Sequence, residues 1–428
     1  MSASRIPQRP HQEGFTLVEV SVSLIVTVIV LLGVLALFDF SNRLTRAQTN
    51  VSDMQQSLRV AQSDALRMIR MAGAGGLPAG NPPTGAAVAV QNNVADGATI
   101  GGGTTPEIVP GSDVLTIRGV FTSDVYQINT VGGATFSLTP SVDAPTAGTL
   151  SLANPGPAGN AQDLTVITDA IRSGRREALV LVAKQDPAIW AVVELNPGGS
   201  NITNPNNITV AFTITGGTHS ADYLQLSSTP GSYPASISGL SNAVSVGIVE
   251  EYRFYVRREY AVAGDKTSDL VPKLSRARVY PNTQAPWNGE LDNWKVDIAD
   301  NVFDLQVALG FDTAAKDPGA VSCGAGSIAA DDINCGIYES ADGENDDWMY
   351  NGEKNTNPAL FANSTLYYVR LTTLARTDRR DKDYQAPVLE RVEDNFYDQP
   401  ATSVANSTNE RMYRRRLLRT VIDMRNLG

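Results

Sequence analysis

The sequence predicts an α+β protein in which one long N-terminal, membrane-spanning helix packs on an antiparallel β-sheet-rich domain with large loops. Three observations carry that expectation. Apolar residues run almost unbroken from Phe15 to Phe38, and an apolar stripe at steps of three and four continues to Met68. Beyond residue 77 the apolar residues gather in short β-branched and aromatic runs between Gly, Asn and Pro turns.

Residues 1–14, MSASRIPQRPHQEG, are short and polar, with Arg5 and Arg9 and no apolar core, and read as a leader. The run FTLVEVSVSLIVTVIVLLGVLALFDF follows, with Glu19 its one charge before Asp39. From Phe15 to Phe38 a helix rises roughly 36 Å, enough for a hydrocarbon core of about 30 Å. The positive leader places the bulk of the chain on the exported side. A secretory signal has its positive charge directly before the apolar core and its small-residue cleavage site after it. Here Gly14 stands before the core and a carboxylate falls inside it.

The stripe Leu37, Phe40, Leu44, Ala47, Val51, Met54, Leu58, Ala61, Ala65 and Met68 extends the helix over residues 39–76, its exported half. A large downstream domain is the simplest place to bury it, and an independent coiled coil is the other reading. AGAGG at Ala72–Gly76, then Pro78, ends the helix. Residues 77–428 form the β-rich domain, with strands expected at 114–120, 178–183, 191–195, 208–215, 251–262 and 366–375. The nearly charge-free stretch Asn81 to Gly111 reads as loop.

Composition excludes several functions. The net charge of -11 and the lack of a large Lys/Arg cluster make nucleic acid a poor partner. With only His11 and His219 the chain has little from which to build a Ser/His/Asp triad or a multi-His metal centre. No glycine cluster is followed by the Lys of a phosphate loop, and an enzyme is not expected.

The junction QEGFTLVEV resembles the leader junction of type IV prepilins. That resemblance implies cleavage by a prepilin peptidase between Gly14 and Phe15, N-methylation of Phe15, and an assembly role for Glu19 as the fifth mature residue. A carboxylate at membrane depth costs about 2.5 to 3.5 kcal/mol on insertion scales and wants a cation. By the same resemblance the amine of mature Phe15, in the same chain or a neighbour, is that cation; otherwise Glu19 snorkels into water. MIRMAGAGG (Met68–Gly76), GSDVLTIRG (Gly111–Gly119), DIADNVFDLQVALGFD (Asp297–Asp312) and YRRRLLRTVIDMRN (Tyr413–Asn426) are similar to segments of PilW-type minor pilins. The J-type pseudopilin of type II secretion is a related, usually smaller, family.

The resemblance implies a structural minor pilin that helps initiate pilus assembly in a tip complex, held in the bacterial inner membrane by a single span with its C-terminal domain in the periplasm. Its implied partners are the prepilin peptidase, other minor pilins, the major pilin and a PilY-type tip adhesin. A pseudopilin, a tip adhesin or a tethered periplasmic protein are the alternatives. Cys323 and Cys335 sit close together in a Gly- and Asp-rich segment and read as one disulfide in an oxidising compartment, worth about 3 kcal/mol by loop closure, with two reduced thiols the alternative. ADGENDDWMYNGE holds Asp342, Glu344, Asp346, Asp347 and Glu353, a spacing that reads as a solvated turn or, alternatively, a Ca²⁺ site. It is no EF-hand, since Asp347 stands where that loop needs Gly. No other cofactor is expected. The arginines of the C-terminal segment, Arg414, Arg415, Arg416, Arg419 and Arg425, read as a basic strand beside acidic neighbours or as a subunit contact.

Overall fold

The computed structural model describes residues 16–78, 86–102, 107–129, 136–139, 145–157, 159–183, 189–227, 243–260, 262, 270–289, 294–312, 348–352, 365–397 and 407–424. By contacts the chain divides into two units, residues 1–53 and 54–428. Helix α1, Leu17–Met71, contributes to both.

In the first unit α1 is exposed along its whole apolar run, from Leu17 to Leu44. In the second unit α1 buries Met54, Leu58, Ala61, Gln62, Ala65, Met68 and Ile69 on one face. That face is the C-terminal half of the expected stripe; Leu37, Phe40 and Leu44 of the same stripe stay exposed. The helix ends in the Ala72–Gly76 turn, where Gly73, Gly75 and Gly76 take positive φ. At Gly75 a Cβ would overlap Val120, so glycine suits both the backbone and the close approach.

Among the described residues all strand pairs are antiparallel. The large sheet is built on β9 (Ala243–Arg257). Along its C-terminal half β9 is flanked by β2 (Val114–Gly119) and β10 (Lys273–Val279). Along its N-terminal half it is flanked by β3 (Tyr126–Gln127) and β6 (Ala178–Ala183). The sheet continues from β2 to β1 (Val88–Gln91), and from β10 to β11 (Lys295–Asp300). From β6 it runs through β7 (Trp190–Leu195), β8 (Asn207–Thr213) and β5 (Ala147–Ala153) to β4 (Phe136–Thr139). β6 and the first four residues of β7, Trp190–Val193, are continuous apolar runs, as befits strands with both faces covered. A second sheet has the order β13 (Trp348–Met349), β12 (Val302–Asp312), β14 (Thr365–Arg376), β17 (Arg415–Asp423). A small hairpin pairs β15 (Arg391–Val392) with β16 (Asn395–Phe396).

One apolar core joins the C-terminal end of α1 to both sheets, through Ala61, Ala65 and Ile69 on the helix, Ile117 and Phe254 on the large sheet, and Val307, Val369 and Ile422 on the small one. A second core, around Leu150, Leu181 and Phe212, packs under the short helix α2 (Thr165–Arg172). The α+β class and the antiparallel sheets agree with the expectation from sequence. Two stretches differ from it. Residues 88–91, inside the expected loop, pair with β2, and the expected strand at 251–262 begins at Ala243 and ends at Arg257.

Candidate functional site

The start of α1 is held by a reciprocal cap. The Thr16 backbone N–H donates to Glu19 Oε2 at 2.9 Å, and the Glu19 N–H donates to Thr16 Oγ1 at 3.3 Å. The Thr16 hydroxyl also donates to Glu19 Oε2, at 3.0 Å. This is a capping box, T-L-V-E, which satisfies helix N–H groups that have no partner within the helix. Thr16 was not singled out from sequence, although the Thr-x-x-Glu spacing ahead of an apolar run is its signal. Deeper in the helix Ser21 and Thr27 fold their hydroxyls back onto the carbonyls of Leu17 and Ser23, so neither presents a bare donor.

Among the described residues α1 is the one helix long and apolar enough to cross a membrane, and its apolar window is entirely unburied. Leu17, Leu24, Ile29, Leu32, Leu37 and Phe40 are all more than half exposed, a continuous surface that water does not favour. Residues 9–35 match the model of the prokaryotic N-terminal methylation motif. The motif is a type IV prepilin-like signal and supports a pilin or pseudopilin role in general, with processing by a prepilin peptidase and assembly with other pilins. It marks structural, pilin-like proteins. Together with the exposed apolar helix it points to membrane anchoring and to a pilus. No curated protein and no solved structure matches the chain.

The other sequence candidates fall into two groups. Gly14 and Phe15, Cys323 and Cys335, Arg425, and the acidic set Asp342, Glu344, Asp346, Asp347 and Glu353 lie outside the described residues. Trp348, next to that acidic set, is fully buried on β13, with the Arg370 guanidinium 4.4 Å from its ring centre. Arg415, Arg416 and Arg419 do lie on a strand, β17, but its pairing neighbour β14 brings no acids. Carboxylates come from elsewhere: Glu393, in the β15–β16 turn, pairs with Arg419 at 2.8 Å, and Asp381 with Arg414 at 2.8 Å.

How the helix is fixed to the β domain was not legible from sequence. Gln62 Nε2 donates to the Leu418 carbonyl at 2.9 Å and to Thr373 Oγ1 at 3.2 Å, while its Oε1 accepts from Thr420 Oγ1 at 2.6 Å. One helix turn thereby grips β14 and β17. On the large sheet, Arg276 of β10 pairs with Asp64 at 2.9 Å.

A buried acidic group fastens the two sheets together. Asp113 accepts the Asn93 and Val307 N–H groups at 2.8 and 2.7 Å, spanning from the β1–β2 connection to β12. Asp304 on β12 accepts from Gln306, Tyr397 and Asn395, and Asp394 from Asn92. Burial pushes Asp113 well above the usual carboxylate range and Asp304 up to about 6, and it also raises Asp394. Among the described residues no three His, Cys, Asp or Glu side chains are placed to hold a metal ion. Both oxygens of Asp113 and of Asp304 are aimed at protein donors, and Asp394 meets Asn92 through Oδ2, an arrangement that joins elements.

Proposed function

We propose that the chain is a PilW-type minor pilin that takes part in the initiation of a type IV pilus, in its tip complex. It would be cut after Gly14, N-methylated at Phe15, and held in the inner membrane with residues 77–428 in the periplasm. The observation that carries this reading is the methylation motif at residues 9–35 leading into a capped, wholly exposed apolar helix. The work of such a subunit is assembly, with no turnover.

Glu19 fits the assembly role on its geometry. Its carboxylate already rests 2.9 Å from the Thr16 nitrogen, so cleavage after Gly14 creates a cationic amine one residue away. Once the subunit leaves the bilayer, the same carboxylate can pair with the amine of a neighbour. The narrower PilW-type assignment draws support from where its four similar segments lie. Met68–Gly76 ends α1, where Gly73 N–H bonds the Arg118 carbonyl of the second segment. Asp113 of that segment joins β12 in the third, and the fourth supplies β17, which Gln62 of the helix grips. The four meet at the junction of the helix with the two sheets, the part a pilin needs in order to carry a head on an anchor.

Mass spectrometry of the protein from its native membrane tests processing. The expected mature terminus is methylated Phe15; an uncut chain, or a cut beyond Phe38, would overturn the reading. Glu19→Ala is expected to be cut normally yet to drop out of the pilus. Incorporation at the wild-type level would leave a simple membrane tether as the better account.

A further inference from the structure

β17 is the last strand of the small sheet, with β14 on one side of it. The ladder is bracketed by Met424 N–H to the Tyr367 carbonyl and Thr377 N–H to the Arg414 carbonyl, with no register shift between them. Antiparallel alternation then points the N–H and C=O groups of even-numbered residues at β14 and those of odd-numbered residues away from it. Among the described residues no backbone group pairs with Leu417, Arg419 or Val421 on that outer side. The edge is nine residues long and has no proline or bulge.

Its side chains have a definite chemistry. Leu417 is 40% exposed, and Arg416 is exposed with no carboxylate in ion-pair range among the described residues. Arg419 keeps 44% of its side chain exposed while holding Glu393. A chain with a net charge of -11 thus sets arginines beside a ladder edge that no described residue pairs with. Charged edges deter pairing with like strands. Twofold pairing of β17 about Leu417 would set Arg415 against Arg419, and pairing about Arg419 would set that residue against itself, both unfavourable; pairing about Val421 would set Arg419 against Asp423 but overlaps only residues 419–423 of the strand. The same charges select an acidic guest.

We propose that the β17 edge is a strand-addition site that takes an extended, carboxylate-bearing segment of a different subunit. Main-chain bonds to Leu417, Arg419 and Val421 hold the guest, and Arg416 and Arg419 select its acidic side chains. The inference concerns a surface of the β domain and stands whether or not the pilin reading does.

The test uses the full chain in detergent micelles with a fluorescent peptide of alternating Val and Glu, and a Val/Lys peptide as control. The acidic peptide is expected to bind at least about tenfold more tightly than the basic one, and to slow amide exchange at Leu417, Arg419 and Val421. Leu417→Pro removes an outward N–H without touching the β14 ladder, and Arg416→Glu alters one exposed side chain. Each is expected to weaken binding about tenfold, with near-UV circular dichroism reporting an intact fold. Equal binding of the two peptides, indifference to Arg416→Glu, or protection elsewhere in the chain would overturn the proposal. It would also fail if the edge amides are protected without peptide and become exchangeable on dilution, because a second copy of the chain would then be the occupant.

Discussion

Asp304 shows how a single buried carboxyl contributes to the pH response of this fold. Its side chain is buried and accepts from neutral donors only, Gln306, Asn395 and Tyr397, so burial lifts it to about 6. An unfolded chain releases that proton near pH 4, whereas the folded one keeps it to about 6. Folding therefore takes up a proton at this group in this window, and the group's contribution to stability is greatest below pH 4 and falls as the pH rises through 6, by on the order of 3 kcal/mol. Asp113, Asp394 and Glu250 are shifted upward too and act with the same sign. Thermal unfolding of the full chain in detergent between pH 4 and 7 should show this slope, and Asp304→Asn should flatten it. Glu251 is the opposite case. Burial alone would raise it, but Arg118 and Arg253 at 2.5 and 2.6 Å and the Asn282 N–H hold it below the usual range. Glu251→Gln leaves two buried guanidinium groups without their counter-charge and should cost about 3 to 5 kcal/mol, read as a lower melting temperature at pH 7.

At the scale of elements, the grip of α1 on the small sheet depends on one amide. Gln62→Leu keeps the bulk but removes three hydrogen bonds, leaving the Thr420 hydroxyl to find another acceptor. A loss of about 2 to 3 kcal/mol is expected, with faster amide exchange in residues 58–68 than in β6 and β7. Gln62 could not be found from sequence, because its partners lie more than 300 positions away and a glutamine on a helix reads as surface. The elements that could be read were those with a single strong local signal. β6, β7, β8 and β14 are dense apolar runs, and α1 combines an apolar block with a stripe. β1 was missed because VAVQ is short and sits among glycines and prolines, so its strand state comes from pairing with β2. The β15–β16 hairpin was missed for a different reason. Its turn is Glu393-Asp394, which looks like solvated loop, yet Glu393 takes positive φ and is buried against Arg370, Thr372 and Arg419. At the candidate site Glu19 is legible as a carboxylate in an apolar run, while Thr16 is not, because Thr-x-x-Glu is a weak local pattern and the same Glu19 reads equally as a lone charge.

For the molecule as a whole, α1 belongs to two environments, and the change between them falls at Asp53–Met54. Before it the helix shows apolar side chains to its surroundings; after it the same stripe is sealed into a core shared with both sheets. The second part therefore belongs to the β domain as much as any strand does. Met54, Leu58, Met68 and Ile69 are each less than 10% exposed, and burying four such side chains is worth on the order of 8 kcal/mol, as large as the net stability of many domains. Two truncations separate the roles. A chain starting at Met54 should lose its affinity for detergent micelles and remain a folded, soluble protein with cooperative unfolding. A chain starting at Ala72 should expose Ile117, Val307 and Ile422 and aggregate or bind hydrophobic dyes, although all its strands are present. Detergent partitioning and calorimetry of the pair read both outcomes. If the Ala72 chain folded as stably as the Met54 chain, the end of α1 would be only a stalk, and its shared core with the sheets would contribute little to holding the domain together.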